Sequence, residues 1–201
     1  MDQKKKWRFV HFVMSFGFLI TLSTFMLDAC GAFGTVSRHW EEEVKLHDGR
    51  KIVVDRVVEV ERCCGENFKN GDTISQKIIF RSESGRIVWE DDIAPIIFDI
   101  VGTTYYVVAD PMSMDECIKH SDPNPPFIFY KYKNGKWEQI KNSEFPDGFQ
   151  TNLLADYWGD RTGKGEKISA EEKPKLNSYA NNKVGKFLGH FNKDLNQPCA
   201  L

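Results

Sequence analysis

Residues 40–62 read Trp-Glu-Glu-Glu-Val-Lys-Leu-His-Asp-Gly-Arg-Lys-Ile-Val-Val-Asp-Arg-Val-Val-Glu-Val-Glu-Arg. The pair Asp48-Gly49 predicts a tight hairpin turn with positive φ at both central residues, a conformation that Asp and Gly tolerate well. Val44 and Leu46 alternate with polar residues before the turn, and a β-branched run follows it. The stretch therefore predicts two antiparallel strands. The acidic run at residues 41–43 and His47 beside the turn are expected to be solvated.

Three more turn-forming pairs divide the chain that follows. They are Ser84-Gly85, Gly102-Thr103 and Asn134-Gly135. Each lies between runs rich in β-branched and aromatic residues, as in a hairpin. Four hairpins predict an all-β fold over residues 40–165, an antiparallel meander of about eight strands arranged as a sandwich or a partly open barrel.

The last 36 residues, 166–201, are predicted to form a short helix and a polar tail. The sequence Ser169-Ala170-Glu171-Glu172 fits a capping box, in which the Ser side chain and a Glu three residues later satisfy backbone amides at the start of a helix. We expect the helix to run from about residue 170 to residue 181, with Pro174 close to its first turn.

The first 29 residues have the layout of a signal peptide. Four basic side chains within residues 4–8 precede an uncharged apolar run at residues 12–27. Basic residues ahead of such a run keep the N-terminus in the cytoplasm, so the chain that follows crosses the membrane. We therefore expect the β domain to lie outside the cytoplasm, joined to the leader by a tether at residues 30–39 that is rich in Gly and small polar residues.

Three fates of the leader remain open. Leu27-Asp28-Ala29-Cys30 resembles a bacterial lipoprotein box, although Asp28 stands where the box has a small or apolar residue. That resemblance implies cleavage before Cys30, lipid attachment to its thiol, and the membrane as a partner through the N-terminal lipid. The second fate is cleavage after Ala32. The third is a single-pass anchor, because the apolar run approaches the minimum spanning length of about 17 residues.

Five cysteines occur in the chain: Cys30, Cys63, Cys64, Cys117 and Cys199. With Cys30 reserved for lipid, four remain, an even number that predicts disulfides in an oxidising compartment. A bridge between adjacent cysteines is strained, so we expect Cys63 and Cys64 each to pair with one of the distant two, in an order that the sequence leaves open. No Cys-x-x-Cys spacing is present, and no metal site is predicted there.

Composition argues against nucleic acid as a partner. The chain is 41% hydrophobic and 28% charged with a net charge of -2, and the leader holds four basic against two acidic residues. The remainder is therefore more acidic than the whole. Phosphate contacts need clustered Lys and Arg, which an acidic domain lacks.

No catalytic residue and no cofactor is predicted, since no Gly-rich phosphate loop, Gly-x-Ser-x-Gly or His-Glu-x-x-His is present. The best candidate polar site is the acidic, proline-bounded segment at residues 110–122, with Asp110, His120 and Asp122. Crowded carboxylates could hold Ca²⁺, and a carboxylate near His120 could transfer protons. This supports one hypothesis, an extracytoplasmic hydrolase or metal-binding enzyme.

The favoured hypothesis is a membrane-tethered lipoprotein of the cell envelope, a non-catalytic binding or structural module whose partner is another envelope protein or a glycan. Residues 40–50, Trp-Glu-Glu-Glu-Val-Lys-Leu-His-Asp-Gly-Arg, resemble a motif of small uncharacterised bacterial lipoproteins. Residues 123–127 and the hairpin Asn134-Gly135-Lys136-Trp137 are similar to a second block in those proteins. The resemblance covers most of the β domain and implies an envelope protein with no assigned activity.

Overall fold

A computed structural model describes residues 35–62, 70–83, 85–157, 166–176, 185–186, 191–196 and Cys199. The chain divides into two compact units, residues 1–35 with 61–71 and residues 36–60 with 72–201, and the core and sites below belong to the second. The predicted signal peptide and Cys30 lie outside the described residues. None of the helices in the described ranges is long and apolar enough to cross a membrane.

The described residues form eleven strands and three short helical segments. The strands are β1 Thr35–Lys45, β2 Lys51–Arg62, β3 Asn70–Ser82, β4 Gly85–Asp91, β5 Ala94–Val101, β6 Thr104–Asp110, β7 Ile128–Lys133, β8 Lys136–Ile140, β9 Asp156–Tyr157, β10 Glu166–Ile168 and β11 Gly185–Lys186. The helices are α1 Met114–Lys119 and α2 Lys173–Leu176, with a 3₁₀ turn at Asn142–Glu144.

Two sheets make up a sandwich, which confirms the predicted all-β meander. The first sheet has the order β10-β1-β2-β3-β4, and the second has the order β5-β6-β7-β8. β3 pairs with β4 in the antiparallel sense, and so do the successive strands of the second sheet from β5 to β8. The first sheet also has a parallel edge, since β10 pairs with β1 and Trp40 lies opposite Glu166.

The turns follow the predicted chemistry with one difference. Asn134 and Gly135 have φ of 55° and 86°, so both central residues of the β7–β8 hairpin are left-handed. At the first hairpin only Gly49 has positive φ, 87°. That loop spans three residues, closed by the Leu46 amide donating to the Arg50 carbonyl at 2.8 Å. A single left-handed Gly at the end of the loop is the usual arrangement for this length.

The main core fills the space between the sheets. Inward side chains of the first sheet, such as Trp89 and Ile78, pack against Phe98 and Val107 of the second. A second cluster covers the outer face of the second sheet, where Phe145 and Phe149 pack on Ile97, Val108 and Phe129. Because both faces of β5 are covered, seven of its eight residues are buried, which explains its nearly continuous apolar sequence.

Three predicted boundaries change. β1 begins at Thr35, so residues 35–39 belong to a strand rather than to the tether. Residues 114–119, predicted as loop, form α1, because Ser113 caps the Glu116 amide at 3.2 Å and acidic side chains fill the first turn. Of the predicted capping box, the Glu172 carboxylate does accept from the Ser169 amide at 2.9 Å, but the Ser169 hydroxyl donates to the same carboxylate and the Glu172 amide donates to the Ser169 carbonyl at 3.2 Å. The helix begins at Lys173 rather than near residue 170, and its described part ends at Leu176; residues 177–184 are not described.

Candidate functional site

The predicted acidic segment contributes His120 and Lys119 to a polar cluster at the end of β4. The His120 Nε2 lies 3.1 Å from Asp92 Oδ1, and the Lys119 ammonium pairs with the same carboxylate. Asp91, Asp92 and His120 each place one ligand atom within 4.8 Å of the others, a spacing that a metal ion could bridge. This group includes neither Asp110, at the end of β6, nor Asp122, which is exposed beyond α1.

Hydrogen bonds and ion pairs already engage the carboxylates of this cluster. The Tyr130 hydroxyl donates to Asp91 at 2.6 Å, and burial together with that carboxylate raises the pKa of Tyr130, so the phenol stays a donor. Burial opposes ionisation of Asp92, but its hydrogen bonds with Lys119, Asp91 and His120 outweigh that effect and lower its pKa to about 2. A metal ion would therefore have to displace Lys119 from Asp92.

A polar cavity of about 380 Å³ lies where the first hairpin, β5, the segment before β9 and α2 meet. The residues on its walls that matter below are Lys45, His47, Asp99, Asn152 and Lys173. Two of these, Asp99 and Lys173, are about 1% exposed. The cavity therefore combines an open mouth with charged groups that the fold has taken out of water.

One wall of the cavity is a His–Asp pair that the sequence did not predict. His47 is exposed, as predicted, but its Nδ1 also lies 2.7 Å from Asp99 Oδ1 and its backbone amide donates to Asp99 Oδ2 at 2.9 Å. The Ile100 amide also donates to Asp99. Asp99 thus fixes the imidazole through Nδ1, and Nε2 is the ring nitrogen that Asp99 does not engage. A lone Asp within the apolar run of β5 was the sequence signal for this pair.

The opposite wall rests on Glu42, which is fully buried, contrary to its predicted place on a solvated acidic face. The reason is the alternation of β1, which turns Trp40, Glu42 and Val44 to the same inward side. Oε1 of Glu42 accepts from the Leu154 amide at 2.7 Å and from Lys173 Nζ at 2.9 Å. Oε2 accepts from Arg56 Nη1 at 3.0 Å and from the Trp40 indole at 3.2 Å.

Lys173 and Arg56 therefore share one buried carboxylate. Arg56 also donates to the Leu154 carbonyl at 3.2 Å, and Lys173 donates to the Asn152 carbonyl. Burial lowers the pKa of Lys173, and although Glu42 favours the ammonium form, Arg56 opposes it. Lys173 is thus an incompletely neutralised cation at the cavity wall.

Asn152 closes the corner between the sheets next to this cavity. Its side-chain oxygen accepts from the Phe98 amide at 2.9 Å, and its side-chain nitrogen donates to the Phe98 carbonyl at 2.9 Å and the Lys45 carbonyl at 3.1 Å. One side chain therefore binds both β1 and β5. This contact holds the segment that carries the Asn152 carbonyl against Lys173.

A disulfide joins Cys117 to Cys199, with a Cα–Cα distance of 5.6 Å that suits such a bond. A disulfide involving these cysteines was predicted, but the predicted partners were wrong, because the two distant cysteines pair with each other. Cys117 lies on the buried side of α1, a helix that the sequence did not reveal. Cys63 and Cys64 lie outside the described residues.

Comparison of the chain with protein-family profiles, curated proteins and solved structures finds no significant match. The cavity and the Asp91–Asp92–His120 cluster are therefore the features from which a function can be inferred.

We predict that Glu42→Gln lowers the free energy of unfolding by about 3–5 kcal/mol, because it removes the counter-charge of two buried cations. Urea unfolding followed by tryptophan fluorescence measures the change. Glu41→Gln, one residue away and exposed, is the matched control and should change stability by less than about 0.5 kcal/mol. Equal, small effects of the two substitutions would contradict the assigned role of Glu42.

Proposed function

We propose that the protein is a cell-envelope lipoprotein, tethered through Cys30, whose β-sandwich is a non-catalytic module that binds a ligand outside the cytoplasm. The observation that carries the proposal is the Cys117–Cys199 disulfide. Disulfides persist in oxidising compartments and are rare in the cytosol. The basic and apolar leader supports the same location, since it has the order of an export signal.

The cavity supports binding as the activity of the exported domain. Its volume of about 380 Å³ falls in the range of small-molecule sites. Its polar walls are held in place by contacts within the protein, Asp99 with His47 and Lys173 with Glu42. Such pre-organised groups bind a ligand without a large ordering cost.

The mature N-terminus tests the location. We expect mass spectrometry of the membrane fraction from a bacterial host to find a chain that begins at Cys30 and carries a diacylglyceryl group. Cys30→Ser should abolish the modification and the lipid-dependent membrane association, whereas Cys117→Ser should retain both. A chain that begins at Phe33 without lipid, or one that retains residues 1–29, would show that the protein is not tethered through a lipid on Cys30. A cytosolic chain with reduced Cys117 would show that the domain is not exported.

A second candidate function is a metal-binding enzyme, a hydrolase, centred on Asp91, Asp92 and His120. The favouring observation is the mutual distance of their ligand atoms, within 4.8 Å. One imidazole and two carboxylates form a donor set that Zn²⁺ accepts. This candidate ranks second because the Lys119 ammonium already occupies Asp92.

Calorimetric titration with Zn²⁺ tests this candidate. If the cluster binds metal, Lys119→Met should tighten binding by about tenfold, because an ion pair no longer competes for Asp92. His120→Ala should weaken binding at least as much, because it removes a ligand. Heats that neither substitution changes would assign the binding to other groups and eliminate the cluster as a metal site.

A further inference from the structure

We propose that the polar cavity binds a small organic anion through a single carboxylate, which lies between Lys173 and His47. The proposal rests on the binding role given to the domain above and names the chemical class of its ligand. Three features of the cavity carry it: the charge state of its wall, the fixed imidazole, and the opposing acidic groups that limit the charge of the occupant.

The first feature is the incompletely neutralised amine of Lys173. Lys173 is about 1% exposed, and its partner carboxylate, Glu42, is divided between Lys173 and Arg56. A buried cation without a full counter-charge is costly, and an anion in contact with it would lower that cost. Lys173 is among the residues that line the cavity, so a ligand bound there can supply the missing charge.

The second feature is the His47 ring on the same cavity. Asp99 holds Nδ1 at 2.7 Å, and Phe149 contacts the ring with its centroid at 4.9 Å. The imidazole therefore has a fixed position. With Nδ1 committed to Asp99, Nε2 is the ring nitrogen that can face a ligand carboxylate, and it is a hydrogen-bond donor when the ring carries both protons.

The third feature is the set of acidic side chains around the cavity, which favours a ligand with a single negative charge. Glu42 faces Lys173 from β1, and Asp99 faces the cavity from β5, so a second negative charge on the ligand would meet repulsion. Glu43 on β1 adds to the same field, and its own carboxylate is held by Lys51 at 2.9 Å. A monocarboxylate fits this balance better than a phosphate dianion.

Binding should be linked to protons. An anion beside Lys173 favours the ammonium form, which burial disfavours in the empty cavity. The pKa of Lys173 therefore rises on binding, and protons are taken up from the buffer at pH values between the pKa of the free protein and that of the complex. Affinity should be highest below the Lys173 pKa of the free protein, fall as pH increases above it, and level off above the pKa of the complex. Arg56 on β2 shares Glu42 with this amine, and Lys45 and His47 of the first hairpin and Asp99 of β5 line the same cavity.

The test is isothermal titration calorimetry of the full-length protein with butyrate, and with butyramide as an uncharged ligand of the same shape. We expect butyrate to bind with a Kd of about 1 mM or tighter, with a heat that depends on buffer ionisation in the sense of proton uptake. Butyramide and inorganic phosphate should bind at least about tenfold more weakly. Lys173→Met and His47→Gln should each weaken butyrate binding by about tenfold or more.

Lys136→Met is the matched control, since Lys136 is exposed on β8, and it should leave butyrate binding unchanged. Should Lys173→Met fail to fold, His47→Gln and the proton uptake decide the outcome. Unchanged affinity in His47→Gln and Lys173→Met, or absence of butyrate binding at 10 mM by folded protein, would overturn the inference. If butyramide binds as tightly as butyrate, the cavity is a binding site but does not select an anion, and the inference is wrong. None of these results depends on the N-terminal tether.

Discussion

The buried carboxylate of Glu42 is the constraint that joins residues 152–154 and α2 to the first sheet. It accepts hydrogen bonds from four donors that belong to different parts of the chain: Trp40 in β1, Arg56 in β2, the Leu154 amide and Lys173 in α2. A buried charge is tolerated only when it is paired and hydrogen-bonded, so these four parts must meet at one point. Residues 152–154 and α2 have little strand character of their own, and this carboxylate fixes them to the first sheet.

Asn152 adds the matching contact with the second sheet. It binds the backbone of β1 at Lys45 and of β5 at Phe98, so the segment next to Glu42 closes the corner between the sheets. The same segment and the first hairpin then border the cavity, with the His47–Asp99 pair on one side and Lys173 on the other. The cavity is thus a consequence of how the two sheets are joined, and its charge is a consequence of the sharing of Glu42 between two cations.

The hairpins could be predicted from the sequence because turn residues specify them locally. The buried side-chain contacts could not, because they join residues far apart in the chain. Asn134-Gly135 determines a hairpin by its own backbone preferences, which is why the pairing of β7 with β8 could be predicted. Glu42 was predicted as solvated because a charge run resembles a solvent face, although its strand alternation with Trp40 and Val44 pointed inward. The His47–Asp99 pair spans 52 residues and the Cys117–Cys199 disulfide spans 82, and no local pattern specifies contacts at such separations.

The charge of the cavity wall depends on Lys173, a buried amine whose partner carboxylate, Glu42, is shared with Arg56. An NMR titration of the Lys173 side chain in the ligand-free protein, with ¹³Cε shifts recorded against pH, tests this sharing. We expect a pKa below the ordinary lysine value of about 10.4, since burial lowers it, and a further decrease in Glu42→Gln, where the counter-charge is gone. A pKa at the ordinary value, unchanged by Glu42→Gln, would show that the amine is solvated and that Glu42 does not hold its charge.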